Sequence, residues 1–368
     1  MKIRKFLQKC FKQFFQFLFK IFYGSVKLNI DLKNIKLLKK KKIINIKSDI
    51  EGVKDYHVYK IIKGRVYTDY VNHVAVISKN DLIDKISYQQ IHGELKDASY
   101  NTVLKKGTPA IKKRIKGSVL SIVQGASGNN YGHWLLEMLP KIKLCSEHFP
   151  IEKIKYFYTP NLNKFHKETL SILNIKDNQI IDSKKYRHIE ADELITVDHP
   201  SYYKGFIKDE FKLQPTWVID WLKKTYLPHA KKFNSSKKIF IDRTDSLSNH
   251  CQFINQNEIS DYLTRKGFVK YQLTKLSFLE TVHLFKNAEI IVGAHGAALV
   301  NLIFCVPKTK VIEIKPITQT QTIFERLSFI NQLEYRLIQT KKIDEHKKIE
   351  GDIDLSLDEL DKCFNSFI

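Results

Sequence analysis

The chain has 368 residues, enough for two domains with a core each, and its 43% hydrophobic and 12% aromatic content excludes long stretches of disorder. Its net charge of +23 is almost all lysine, with only eight arginines, and predicts a surface that attracts anionic membranes, nucleotides and polyanionic polymers. No zinc finger or aromatic RNA-reading signature accompanies that charge, so nucleic acid is not the expected partner; the five scattered cysteines contain no C-x-x-C pair, which argues against a disulfide framework or structural zinc and for the cytoplasm.

Residues 4–23 read RKFLQKCFKQFFQFLFKIFY. Leu7, Phe11, Phe14, Phe15, Leu18 and Phe22 recur at helical spacing, with Lys9, Lys12, Gln13, Gln16 and Lys20 on the other side. Lysines interrupt the run too often for a transmembrane span, and no small-residue cleavage site follows it. The pattern predicts an interfacial helix on an anionic membrane, the inner face of the cytoplasmic membrane; the alternative is a helix packed on its own domain. Residues 1–47 are read as this helix and a basic linker.

Residues 48–227 read as a first α/β domain. Strands are expected at 53–62, 65–70, 73–77 and 118–123, joined by turns such as Lys63-Gly64. A loop, GASGNN at 125–130, leads into a helix starting near Asn129 or Asn130, in which Pro140 marks a kink. A strand at 154–158, a helix at 164–173, a strand at 193–197 and a helix at 211–226 complete it.

Residues 236–345 alternate more cleanly. Strands are expected at 238–242, 268–271, 289–293 and 310–314, and helices at 257–266, 277–286 and 296–304, with Ser277 and Glu280 as a capping box. Such alternation with apolar strands implies a parallel sheet covered on both faces. Residues 346–368 read as a tail ending in a helix; the D-x-D at Asp352 and Asp354 reads as its solvated start.

Two constellations carry chemistry. Gly293-Ala294-His295-Gly296-Ala297-Ala298 lies between a buried strand and a helix, where small residues let amides approach an anion and the helix start adds partial positive charge. It lacks the G-K-[ST] of a Walker loop, and the same glycines would serve a tight turn. Arg243, just past a strand, suits a phosphate or a surface salt bridge; Glu313 suits ribose hydroxyls or a neighbouring lysine. In the first half, His133 and Glu137 are four residues apart on one helix face, the arrangement of a carboxylate-oriented general base and also of an ordinary surface ion pair.

Three blocks together, NNYGHWLLEMLPKI (129–142), KIFIDRTDSLSNHCQFINQNEI (238–259) and LSFLETVHLFKNAEIIVGAHGAALVNLIFCVPKTKVIEI (276–314), resemble glycosyltransferase family 61 in motif, order and spacing. The resemblance implies an α/β, GT-B-like fold of two Rossmann-like domains facing a cleft. It implies an inverting glycosyltransferase, and the mechanism expected on these residues requires no metal or other cofactor. The donor would be a nucleotide-sugar, often a uridine diphosphate sugar, and the acceptor a saccharide or lipid-linked saccharide in capsule or lipopolysaccharide synthesis. By matching positions, His133 and Glu137 fall on the acceptor side, with either as base. Arg243, Gly293, His295, Gly296, Ala297 and Asn301 fall on the donor side, joined there by Ala298 and Glu313 from the reading above. Asp242 stands where a serine often precedes the arginine, and a second arginine is replaced around Cys251–Gln252, which shifts phosphate binding onto Arg243 or lysines. The reading from a different class is a non-catalytic, basic, membrane-associated protein that binds an anionic polysaccharide or nucleic acid.

Overall fold

A computed structural model describes residues 2–50, 55–69, 72–91, 94–125, 130–160, 162–201, 206–207, 214–245, 251–341, 343 and 351–367. Parts of several expectations lie outside these: the strand ends at Val53 and Tyr70, most of the 125–130 loop, the start of the 211–226 helix and residues 246–250. The chain forms two compact units, Met1–Leu170 with Asn174–Trp217, and Val218–Ile368 with Ser171–Leu173.

The first unit opens with helix α1 (Lys2–Tyr23) and continues into a mixed sheet. Its strands are β1 (Lys27–Asn29), β2 (Leu38–Lys42), β3 (His57–Thr68), β4 (His73–Ser78), β5 (Asp81–Ile83), β6 (Tyr88–Ile91), β7 (Glu94–Lys96), β8 (Lys112–Ser121), β9 (Tyr156–Thr159), β10 (Ile180–Asp182), β11 (His188–Val197) and β12 (Phe206–Ile207). The order is β10-β9-β8-β11-β3-β4-β6-β7-β12; it is parallel from β10 to β11 and antiparallel from β11 onward. The Rossmann-like pattern expected here is therefore limited to the four parallel strands. Tyr59, Ile61, Val66, Val76, Val119, Tyr158 and Leu194 fill the core.

The predicted turn at Lys63-Gly64 is instead the middle of β3. Lys63 takes φ 50°, and a Cβ on Gly64 would sit 2.6 Å from Leu194 Cβ on β11. The glycine marks a close approach of two strands rather than a reversal of the chain.

The predicted kinked helix also resolves physically. After the short α2 (Val103–Lys106), Asn130 caps a helical turn α3 (Tyr131–His133), accepting the His133 N–H at 3.1 Å. The chain then widens into a π turn, Trp134–Met138, before α4 (Pro140–Ser146). Leu139 N–H reaches Trp134 O at 2.9 Å, one residue further back than in an α-helix. Pro140 has no N–H and its ring crowds the carbonyl four residues earlier, so the wider turn accommodates it. Helix α5 (Lys164–Ile172) completes this half of the chain.

The second unit follows from α6 (Thr216–Tyr226). It alternates β13 (Lys238–Ile241), α7 (Gln256–Arg265), β14 (Val269–Tyr271), α8 (Phe278–Asn287), β15 (Ile290–Ala294), a 3-10 helix (Ala297–Phe304), β16 (Lys310–Pro316), α9 (Ile323–Ile330), β17 (Glu334–Thr340) and α10 (Leu357–Asn365). Its sheet has the order β14-β13-β15-β16-β17 and every neighbouring pair is parallel. One face buries Phe240, Val292, Ile312 and Ile314 against Ile259, Leu263 and Leu360. Strand order reverses between β13 and β15, and sheets of this kind bind their ligands outside the carboxyl ends of the strands at such a point.

The segment after β15 is a 3-10 helix where an ordinary helix was expected. The D-x-D segment is not a solvated helix start: Asp352 and Ile353 are buried, bridging Ile343 and Phe253 in extended conformation, and α10 begins only at Leu357. Ile353 is drawn into the core by its side chain, which a reading from charge overlooks.

The capping box at α8 is present as expected. Ser277 Oγ accepts the Glu280 N–H at 3.2 Å, and the Glu280 carboxylate accepts the Ser277 N–H at 2.8 Å. Ser277→Ala is expected to lower stability by about 1 kcal/mol, measured by urea unfolding; an unchanged midpoint would remove the box from the stabilising interactions of this unit.

Candidate functional site

In the second unit the sequence-predicted residues converge where the strand order reverses. Arg243 lies two residues past β13, is 8% exposed, and donates from Nη1 to the carbonyl of His295, in the loop after β15, and to Cys251 O at 3.4 Å. Burial lowers the pKa of its guanidinium, and Cys251 and Asp245 oppose that shift. A Cβ on Gly296 would lie 2.4 Å from Arg243 Cζ, so the cation rests directly on a backbone that only glycine leaves bare.

His295 is the hub of the loop. Its N–H continues the β15–β16 ladder to Ile314 O at 2.8 Å. Its Nδ1 lies 2.5 Å from Glu313 Oε1, and its Nε2 lies 3.3 Å from Gln321 Oε1. Glu313 is fully buried, and its other oxygen accepts the Tyr335 hydroxyl at 2.5 Å. Among the described residues its hydrogen-bond partners are thus a histidine and a tyrosine, not a lysine. Burial raises the Tyr335 pKa, and the charge of Glu313 and the bond to it raise it further. Lys315, 2% exposed, donates to Gln321 O and places a second buried cation beside the same network.

The loop residues divide by role. Gly293 sits inside β15, packed against Ile241 and Leu299, and Ala294 is buried with it. Asn301 is buried in the 3-10 helix and donates to Ala298 O at 2.9 Å. Ala297 is exposed and Ala298 half-buried. Gly296 precedes the 3-10 helix, and the first amides of that helix, those of Ala297 and Ala298, lie at the end where helices leave donors for an anion, beside Arg243. Asp242, 4% exposed, braces the rim by accepting Thr244 N–H at 2.9 Å and Gln272 Nε2–H at 3.1 Å.

The first unit carries its own cluster. His133 Nδ1 lies 2.9 Å from Glu137 Oε2, His199 Nε2 approaches the same oxygen at 3.5 Å, and Gln124 Nε2 also donates to it. Glu137, His199 and Gln124 are fully buried, and His133 is 6% exposed. Burial alone would raise the Glu137 pKa; His133 and His199, by charge and hydrogen bonds, outweigh it and hold the carboxyl well below its usual range. Ser201 N–H donates to His199 Nδ1 at 3.0 Å, which places the ring proton on Nε2, toward Glu137. Lys141, one more turn along and 2% exposed, donates to Val123 O at 3.2 Å; burial pulls its pKa down to about 7, against the opposing pull of Glu137 and Asp198.

With its Nδ1 proton given to Glu137, a neutral His133 carries its basic lone pair on Nε2. Glu137 has no surface of its own, so it can orient a base but cannot touch a substrate. Sequence reading missed Gln124, Lys141, His199, Lys315, Gln321 and Tyr335. Lys141 had a legible signal, since His133, Glu137 and Lys141 continue one spacing of four; the others reach their clusters through tertiary contacts.

Residues 131–312 match the model of the family described as Glycosyltransferase 61. Over 158 residues the chain is 27% identical to the beta-1,2-xylosyltransferase RCN11 of Oryza sativa subsp. japonica, an alignment covering 38% of this chain and 29% of that protein. The chain thus spans less than a third of that relative's length. The family match takes in His133, Glu137, His199, Arg243 and His295, and ends one residue before Glu313.

Gly296→Ala is expected to push Arg243 off the His295 carbonyl and to cost about 1–3 kcal/mol in urea unfolding, with Arg243→Ala adding less on that background than alone. Additive losses would show that the two residues do not act together. Lys141 gives a pH signature. Its folded pKa is depressed, so the unfolded chain binds more protons between about 7 and the ordinary lysine value of 10.5, and stability rises with pH in that window. Lys141→Met is expected to flatten this rise, which has a slope on the order of 1 kcal/mol per pH unit. A rise of the same slope in the variant would assign it to other groups.

Proposed function

We propose, from the chain's place in the glycosyltransferase 61 family, that it transfers a sugar from a nucleotide-sugar donor to a saccharide hydroxyl. The finer reading is a uridine diphosphate sugar as donor, inversion at the anomeric carbon, no metal ion, and an acceptor belonging to a surface polysaccharide such as capsule or lipopolysaccharide. The name of the rice relative, a xylosyltransferase, supports the transfer class; its partial coverage leaves donor and acceptor to experiment. Two α/β units suit the GT-B organisation, with acceptor chemistry assigned to the first and donor chemistry to the second.

The observation that carries the proposal is the meeting of Arg243 and the His295–Ala298 loop at the strand-order reversal of an all-parallel sheet. A diphosphate set against the Ala297 and Ala298 amides would lie beside Arg243, with Lys315 adding charge from β16. Negative charge grows on the leaving phosphate oxygen as its bond to the anomeric carbon breaks. Donors already in place then stabilise the transition state more than the ground state. The acceptor oxygen forms the new bond from the opposite face and its proton passes to His133 Nε2. Glu137 steadies the resulting imidazolium. That assignment selects His133 as the base and makes Glu137 a positioning residue, because only His133 keeps exposed surface.

Transfer from a panel of nucleotide sugars, followed with EDTA present, tests this. His133→Ala is expected to lower kcat about a hundred- to ten-thousandfold with little change in donor KM. Arg243→Ala is expected to weaken UDP binding about ten- to a hundredfold by calorimetry. No binding of UDP or any other nucleoside diphosphate would sink the donor-site reading, and full activity of His133→Ala would sink the base assignment. Loss of wild-type transfer in EDTA would sink the metal-free reading.

A further inference from the structure

The first turns of helix α1 stand clear of the unit that carries it, and much of its apolar side is exposed. Phe6, Phe11, Phe14, Phe17, Ile21 and Phe22 are each 59–68% exposed. At the helical period they occupy an arc of about 160°, wider than the narrow seam of a coiled coil. Lys5, Lys9, Lys12, Gln13, Gln16 and Lys20 occupy the opposite arc, and the helix holds no acidic residue.

The helix rests on the first unit by its C-terminal turns: residues 4–14 are exposed on every side, whereas Phe15, Gln16, Leu18, Phe19 and Lys20 are half-buried. The Lys20 stem lies against Gly107, whose Cβ would be 3.0 Å from Lys20 Cγ. Tyr23 accepts the Lys112 N–H at 3.1 Å, meets the His188 ring edge-on at 5.0 Å, and stacks with Phe19 at 5.7 Å. A helix packed along its length would bury the phenylalanines, yet Phe6, Phe11, Phe14 and Phe17 are exposed together with Lys5, Lys9 and Lys12. Here the foot is fastened by tyrosine and lysine while the phenylalanine arc remains in water, a cost that only a later partner can repay.

We propose that α1 is a docking helix for an anionic lipid bilayer surface. Its aromatic arc enters the boundary between headgroups and acyl chains, and its flanking lysines, joined by exposed Lys105 and Lys106 beside Gly107, meet the headgroup charges. Charge selects this occupant. A second copy would bring lysine-rich helices together without acids to pair them, and would cover only part of so wide an arc. No helix among the described residues is long and apolar enough to cross a membrane, so the contact is interfacial. This inference does not rest on the transfer reading, since vesicle binding requires no nucleotide.

The test is flotation of the full chain with phosphatidylcholine vesicles and with vesicles in which a third of the lipid is phosphatidylglycerol. Binding is expected only to the anionic vesicles and is expected to weaken with salt. Lys9→Gln and Lys12→Gln should each weaken it about fivefold. Phe14→Glu with Phe17→Glu, at exposed positions that leave the fold intact, should abolish it. Equal binding to both vesicle types, or binding that survives the paired glutamates, overturns the proposal. So does a dimer, seen by sedimentation without lipid, that the paired glutamates dissociate, because the arc would then belong to a second copy.

Discussion

The bare backbone of Gly296 beneath the Arg243 guanidinium is the contact on which the second unit's site depends. A buried cation needs acceptors, and Arg243 finds one in the His295 carbonyl only because no Cβ intervenes. The same contact ties the loop after β13 to the loop after β15 across the point where the strand order reverses. A parallel sheet of this order offers its ligand crevice there for topological reasons, and the arginine supplies the charge that makes the crevice suit an anion.

Both units solve one further problem in the same way. Each buries a glutamate that holds the Nδ1 of a histidine, Glu137 with His133 and Glu313 with His295. A buried carboxylate without partners would be costly; one shared among several donors becomes a fixed point from which an imidazole can be aimed. Glu137 draws on His199 and Gln124 as well, and Glu313 on Tyr335. In each case the spare donors restrain the carboxylate, so that the histidine's second nitrogen is directed by packing and not by solvent.

The alternating strands and helices of the second unit were readable because buried parallel strands are short apolar runs and the intervening helices carry caps and periodicity. Ser277 and Glu280 signalled α8 through chemistry confined to four residues. The first unit was harder to read. Gly64 looks like a turn in one dimension because the pressure that selects glycine there comes from Leu194, more than a hundred residues away. Pro140 announced a distortion, but its form as a π turn follows from which carbonyl the ring would strike. At Asp352, local charge concealed a segment held in place by its neighbour Ile353.

Sequence alone determined the local quantities: which segments could bury one face, where helices could start, and that His133 and Glu137 must share a side of their helix. It also carried the phenylalanine and lysine arcs of α1, since both follow from helical periodicity. Only tertiary structure decided which polar groups would converge, bringing His199 and Gln124 to Glu137, Gln321 to His295, and Lys315 to Gln321. It also decided that α1 is held only by its C-terminal turns, which leaves Phe6, Phe11, Phe14 and Phe17 exposed. The physical reason is that side-chain direction within one element is set by backbone geometry, whereas the company a side chain keeps is set by how separate elements pack.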